Sequence, residues 1–212
     1  MQYLEVFGWD NGYDYEKFVA DGKKVKFPSV RHIPKNTDSI LYDDKYSFDK
    51  DNMIVTYNDT TYYLGEYAIK QAGDGGKRNF SKSKFEDDTE VAKFLAGVSL
   101  FTEDSRVDIE RLVLGLSLQT YHDYREDIVD FYQDEIFRYE INGQEKRVSV
   151  NEVLCVPQGI GSYYNLILNN SGKIVDHELL EKRYGLVDVG GNTLDGFVGV
   201  GLEPINESQF GA

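Results

Sequence analysis

The sequence predicts an α/β fold, and three observations lead there. Short β-branched and aromatic runs are joined in pairs by turn dipeptides, most clearly at Asn142-Gly143. Apolar residues recur at helical spacing in two stretches, Val91, Leu95, Val98 and then Tyr124, Ile128, Phe131, Tyr132. The 212 residues are 41% hydrophobic and 14% aromatic, too rich for a disordered chain and enough for a substantial core.

Taken in order, residues 2–9 read as a strand that runs into the turn Asp10-Asn11-Gly12. Lys17–Ala20 and Val25–Phe27 flank Asp21-Gly22-Lys23 as a second hairpin, and Pro28 ends that unit because proline donates no ladder hydrogen bond. Met53–Tyr57 and Thr61–Leu64 bracket Asn58-Asp59-Thr60 as another hairpin. Residues 73–78, Gly-Asp-Gly-Gly-Lys-Arg, read as a mobile loop. Asp87-Asp88-Thr89 caps a helix over about 89–101. The run Leu112–Leu116 suits a strand buried on both faces, within 109–118, although the pattern alone also allows a buried helix. A helix follows over about 121–135, then the hairpin Ile136–Ile141 and Lys146–Val150. Val153–Val156 reads as a separate buried strand broken by Pro157, Gly161–Leu168 as a helix, and 185–189 with 194–200 as the closing strand pair.

Charge and cysteine usage exclude several classes. A formal charge of −14 argues against unaided nucleic-acid binding and against docking on an anionic membrane. No apolar run reaches 18 residues, and Met1-Gln2-Tyr3-Leu4-Glu5 has no basic region of the signal-peptide kind. The single cysteine, Cys155, cannot form an internal disulfide and fits a reducing cytoplasm. His32, His122 and His177 lack metal-ligand spacing, and Ser117 and Ser162 lack a nucleophile-elbow context. Gly159-Ile160-Gly161 is not completed by a third glycine, since Tyr164 stands there, so a Rossmann site is rejected.

Two acidic, glycine-bearing turns carry the chemistry: Asp10-Asn11-Gly12, and Asp188-Val189-Gly190-Gly191-Asn192-Thr193. Each is a strand running into a tight turn with an aspartate at its mouth. Alone, each is most simply a turn. Facing each other, Asp10 and Asp188 suit the water shell of Mg2+, and the amides of Asn11, Gly12, Gly190, Gly191 and Asn192 suit phosphate oxygens. Lys17 supplies a point charge toward the same phosphates. Gln158 lies between a buried strand and a glycine-rich turn. It either orients a water for in-line attack or caps the helix that follows.

The segments bearing these residues resemble the actin-like ATPases, above all the bacterial plasmid-segregation filament proteins of the ParM/StbA type. The matching stretches are Asp10-Asn11-Gly12 with Lys17 and Phe27-Pro28-Ser29; Tyr63-Leu64-Gly65-Glu66-Tyr67-Ala68; Leu112 through Leu118; Val156-Pro157-Gln158-Gly159-Ile160-Gly161-Ser162-Tyr163-Tyr164; and Gly185 through Asp195. The resemblance implies two ribonuclease-H-like α/β domains around a nucleotide cleft. The first would be residues 1–170, with a variable filament-contact subdomain at about 31–104, and the second would begin at 171–212. It implies that Asp10, Asn11, Gly12 and Lys17 form the first phosphate motif and Asp188 through Thr193 the second, with Gln158 positioning the attacking water. It further implies ATP and Mg2+ as ligands, self-assembly into filaments, hydrolysis within them, and a DNA-binding adaptor protein as partner.

Relatives of this type are longer, and their adenosine-binding turn lies beyond the reach of these 212 residues. The expectation is therefore weak or no nucleotide binding by this chain alone, with an apolar, unfinished face on the second domain. Three readings follow: an ATP-dependent filament protein; a non-hydrolysing fragment or regulator that caps filaments of a longer relative; and a sugar or acid kinase on the same fold. The third ranks last because no substrate base is evident.

Overall fold

A computed structural model of the chain describes residues 1–35, 48–72, 76–79, 84–169, 171–190, 194–201, 203–205 and 210–211. The first hairpins form as the turns dictate. β1 (Gln2–Asn11), β2 (Tyr15–Ala20) and β3 (Lys23–Pro28) are an antiparallel meander, and β3 carries Pro28 at its outer end, where no ladder donor is required. β4 (Arg31–His32) is followed by β5 (Met53–Tyr57) and β6 (Thr60–Leu64). Their turn is the two residues Asn58 and Asp59, both left-handed at φ 47° and 59°, which matches the strand twist.

α1 (Gly65–Ala72) follows at once; eight residues give too short a window for its period to be read from sequence. Beyond it, Lys77 exchanges backbone hydrogen bonds with Arg31, so this end of the expected mobile loop is tied down. Gly73, Asp74 and Gly75 lie outside the described residues, as do 36–47 and 80–83 of the expected filament-contact subdomain.

α2 (Asp88–Ser99) starts where the cap signal placed it: the Asp87 carboxylate accepts the Thr89 N–H at 2.8 Å. β7 (Arg106–Leu116) leads into α3 (Leu118–Tyr132), and β8 (Ile136–Ile141) turns at Asn142-Gly143 into β9 (Gln144–Pro157). β9 is one strand of 14 residues, where the sequence suggested two. The polar pair Asn151-Glu152 interrupts its apolar pattern without shifting its register on β7.

The nine strands form one sheet in the order β3-β2-β1-β7-β9-β8-β5-β6-β4, with β1, β7 and β9 parallel at its centre. Burial in β7 alternates, so this strand is buried on one face only, contrary to the continuous apolar run. The alternation resets at one level in all three parallel strands. Exposed or half-exposed pairs stand side by side between buried neighbours: Glu5-Val6, Glu110-Arg111 and Asn151-Glu152. They are bonded across the strands by Arg111–Glu152 at 2.8 Å and Asn151–Glu110 at 2.9 Å.

α2 packs on the core face and is buried along nearly its whole length. Gly97 is what allows the approach: a Cβ there would stand 2.3 Å from the Phe18 ring. Trp9 lies between Phe94 and Tyr132, with ring centroids 5.2 and 5.9 Å away.

The same helix carries a buried ionic network. Lys93 donates to Glu90 and to Ser29, both at 2.8 Å, and lies 3.3 Å from Glu16. Glu16 also accepts from Trp9 at 2.9 Å and Ser29 at 2.7 Å. Burial pulls the Lys93 ammonium down, but Glu16 and Glu90 outweigh it and the net shift is upward.

After β9 come α4 (Ile160–Ile167) and α5 (His177–Leu180). A second sheet follows, in which β11 (Leu194–Val200) pairs with β10 (Arg183–Val189), β12 (Glu203–Pro204) and β13 (Phe210–Gly211). A small apolar cluster of Leu118, Ile160 and Phe197 joins this sheet to α3 and α4. On β10, Val187 and Val189 are exposed. Among the described residues, no helix is long and apolar enough to cross a membrane.

Candidate functional site

Two turns widely separated in sequence line one cavity of about 210 Å3. Asp10, Asn11, Gly12 and Lys17 come from the first sheet, Asp188 and Gly190 from the second, and Gln158 from the end of β9. Parallel pairing of β1, β7 and β9 puts their C-terminal ends at one edge, and Asp10 stands beside Gly115 in register. Such an edge is where ligands bind in parallel α/β sheets. Gly191, Asn192 and Thr193, expected as phosphate contacts, lie outside the described residues.

The turn after β1 is tight. Gly12 N–H donates to Asp10 O at 3.0 Å, and a Cβ on Gly12 would stand 2.5 Å from Tyr15 O. Only glycine fits that approach, so backbone rather than side chain faces the cavity here.

Asp10 is held from two sides. Lys17 Nζ donates to Oδ2 at 2.7 Å across the β1–β2 ladder, and Gln158 Nε2 donates to Oδ1 at 2.5 Å. Gln158 is thereby spoken for. Gly159 is the N-cap of α4 and has no side chain to cap with, and the Gln158 amide N–H is turned to Asp10 and to Gly115 O rather than to the helix start. Burial by itself lowers the Lys17 ammonium, but Asp10, then Asp188 and Glu16, raise it above an ordinary lysine. Lys17 therefore stays charged between the carboxylates of both turns.

Four contributors were not read as part of the site from the sequence. Ser117 caps α3 and donates to Thr120 at 3.0 Å, and both line the cavity at the positive end of that helix. The sequence put this helix some three residues late, which hid them; a serine directly after an apolar strand is the cap signal that marks them. Asp195 is buried, stands in register with Asp188 across β10–β11, and accepts the Leu118 N–H at 3.4 Å. It links the second sheet to the start of α3. Tyr13 also lines the cavity; burial, Asp195 and Glu90 push its phenol up.

Cys155 is a core thiol, raised to about 11 by burial, so it is not poised as a nucleophile. Among the described residues, no group of three or more histidine, cysteine, aspartate or glutamate side chains is gathered to ligate a metal. The cavity thus offers three carboxylates (Asp10, Asp14 and Asp188), a lysine and backbone amides. That donor set suits a hydrated cation held mainly by phosphate oxygens and water.

Residues 8–161 match the family described as the N-terminal domain of actin-like proteins. This chain belongs to the actin-like proteins. The solved structures it resembles agree on the fold. The actin-like protein Alp7A is 14% identical with a TM-score of 0.79, over 100% of this chain and 61% of that one. The archaeal actin homolog Ta0583, in complex with ADP, is 20% identical with a TM-score of 0.74, over 98% and 60%. The subunit of a 15-stranded ParM filament from Clostridium botulinum is 23% identical with a TM-score of 0.70, over 97% and 62%. The actin-like chain thus spans about three-fifths of the length of these neighbours. No curated protein matches it by sequence.

Proposed function

We propose that this actin-like chain binds the phosphates of Mg-ATP between its two acidic turns and takes part in nucleotide-dependent filaments for plasmid or DNA segregation. The observation that carries the reading is the convergence of Asp10, Lys17, Gln158 and Asp188 on one cavity. Asp10 and Asp188 would hold Mg2+ through water, and Lys17 would meet the phosphates as a point charge. The amides of Asn11, Gly12 and Gly190 would line the phosphate oxygens, together with Gly191, Asn192 and Thr193. The metal would neutralise phosphate charge. Gln158, fixed by Asp10, would orient a water toward the terminal phosphate. Residues 1–170 then act as the first domain and 171–212 as the opening of the second, in a cytoplasmic protein whose further partner is a DNA-binding adaptor.

A neighbour solved with ADP and another solved as a filament support the two halves of this reading. The cavity volume favours a second form of it. About 210 Å3 falls below the roughly 300–1,000 Å3 that encloses a whole small ligand. A cavity of that size suits phosphates better than a whole nucleotide, in keeping with a fragment or regulator that modulates filaments without turnover.

Sedimentation with and without Mg-ATP, beside Asp10→Ala and Asp188→Ala, tests the reading. Wild-type pelleting should depend on nucleotide, and both variants should lose that dependence. Pelleting of all three regardless of nucleotide would overturn it. Titration calorimetry then separates the two forms, since micromolar affinity for Mg-ATP excludes the fragment form.

A further inference from the structure

At the end of the sheet remote from the cavity, three arginines stand in one row. Arg106 on β7 is in register with Arg147 on β9, and Arg147 with Arg138 on β8. Partners in register share a face, and this face is opposite the core, since the adjacent Val107, Val148 and Phe137 are buried. Like charges directly opposite on neighbouring strands repel. Little in the chain relieves them. Among the described residues, neither Arg106 nor Arg138 has an ion pair. Arg147 reaches Asp108 only at 3.6 Å, and that carboxylate already accepts from Ser149. Glu140 and Glu145 form the next row along the face, yet no ion pair joins them to the arginines. An open groove of about 780 Å3 runs over the row.

The opposite face of the molecule carries the complement. α3 turns Ile128 and Tyr132 into the core, and its outer side exposes Asp123, Asp127 and Asp130. Positions spaced by four and three residues share one helix face. Seven residues of helix span about 10.5 Å at about 1.5 Å each. Three adjacent strands span about 9.6 Å at about 4.8 Å each. Three carboxylates and three guanidiniums therefore match in number and in length. Because α3 covers one face of the sheet and the arginines stand on the other, one copy cannot pair them within itself.

We propose that the Arg106–Arg147–Arg138 row receives the Asp123, Asp127 and Asp130 stripe of a second copy of this chain. The two surfaces differ, so the contact is head-to-tail and each copy leaves one of each surface open to continue. The inference rests on the self-association part of the proposed function and assigns that association a surface.

Paired charge reversals test it by sedimentation in low salt. Arg106→Glu with Arg138→Glu should abolish association, as should Asp127→Lys with Asp130→Lys, raising the concentration needed by roughly 100-fold through like-charge contact. Mixing the two variants should restore co-sedimentation, since each then meets a complementary face; this also shows that both are folded. High salt should weaken the wild type. If the reversals leave pelleting unchanged, if the mixture fails to recover it, or if the wild type does not associate at all, the proposal is overturned. Nucleotide-dependent pelleting that ignores the reversals would sink this surface and leave the proposed function standing. Charge-dependent pelleting indifferent to Mg-ATP would do the reverse.

Discussion

Asp10 and Asp188, the aspartates of the two turns, are held very differently. Asp10 projects from a strand in the middle of a nine-stranded sheet and is bonded by Lys17 on one oxygen and Gln158 on the other. Asp188 sits on β10, an outer strand of the small sheet on which no residue is fully buried. The small sheet is tied to the rest through Asp195 and a short apolar cluster. One side of the site is built in advance of any ligand, and the other leans on few contacts.

The largest expected effect sharpens this contrast. Phe94→Ala, at the centre of the aromatic cluster over β1, should cost about 3–5 kcal/mol by denaturant unfolding. Val187→Ala on β10, where the side chain is 63% exposed, should stay within about 0.5 kcal/mol. Equal losses would mean that the two sheets are equally consolidated.

Lys93→Met addresses the buried network beneath the first turn. It strands Glu16 and Glu90 without their cation, and unfolding should show a loss of about 3–5 kcal/mol. Adding Glu90→Gln should recover part of it. Full stability of the single variant would show that the network contributes little to the rigid side.

The smallest effect is chemical. Burial holds the Cys155 thiol at about 11 against an ordinary 9.0, so folding favours its neutral form. Stability from this group is present below pH 9 and is lost as pH rises through 11. At pH 8 the folded chain should react with a disulfide reagent about 100-fold more slowly than a free thiol. Free-thiol rates without unfolding would place β9 among the loosely held elements.

Where sequence and structure agree, the signal was local. Asp87 capping α2, the Asn58-Asp59 and Asn142-Gly143 turns, and the helical spacing of Ile128 and Tyr132 each depend on neighbours a few residues away. What escaped depends on distant partners. The Glu16–Lys93 pair, the bond from Leu118 to Asp195 and the arginine row join residues with no proximity along the chain. The continuous run Leu112–Leu116 misled because an apolar side chain on an open sheet face reads the same in sequence as one beneath a helix. Asp10 and Asp188 were legible because each stands near the end of a strand, at its own glycine-bearing turn, and the shared chemistry of the two turns gave the reason to pair them.

The level at which β1, β7 and β9 each place two outward residues in succession has an evolutionary consequence. Deleting one residue from that step in β1 alone would shift everything after it by one place against β7, setting Phe7 and Trp9 beside Arg111 and Val113 instead of the buried Leu112 and Leu114. The three strands can lengthen or shorten there only together. Stretches of gene far apart are thereby bound to a shared history, and indels at Glu5-Val6, Glu110-Arg111 or Asn151-Glu152 should be found in concert or not at all.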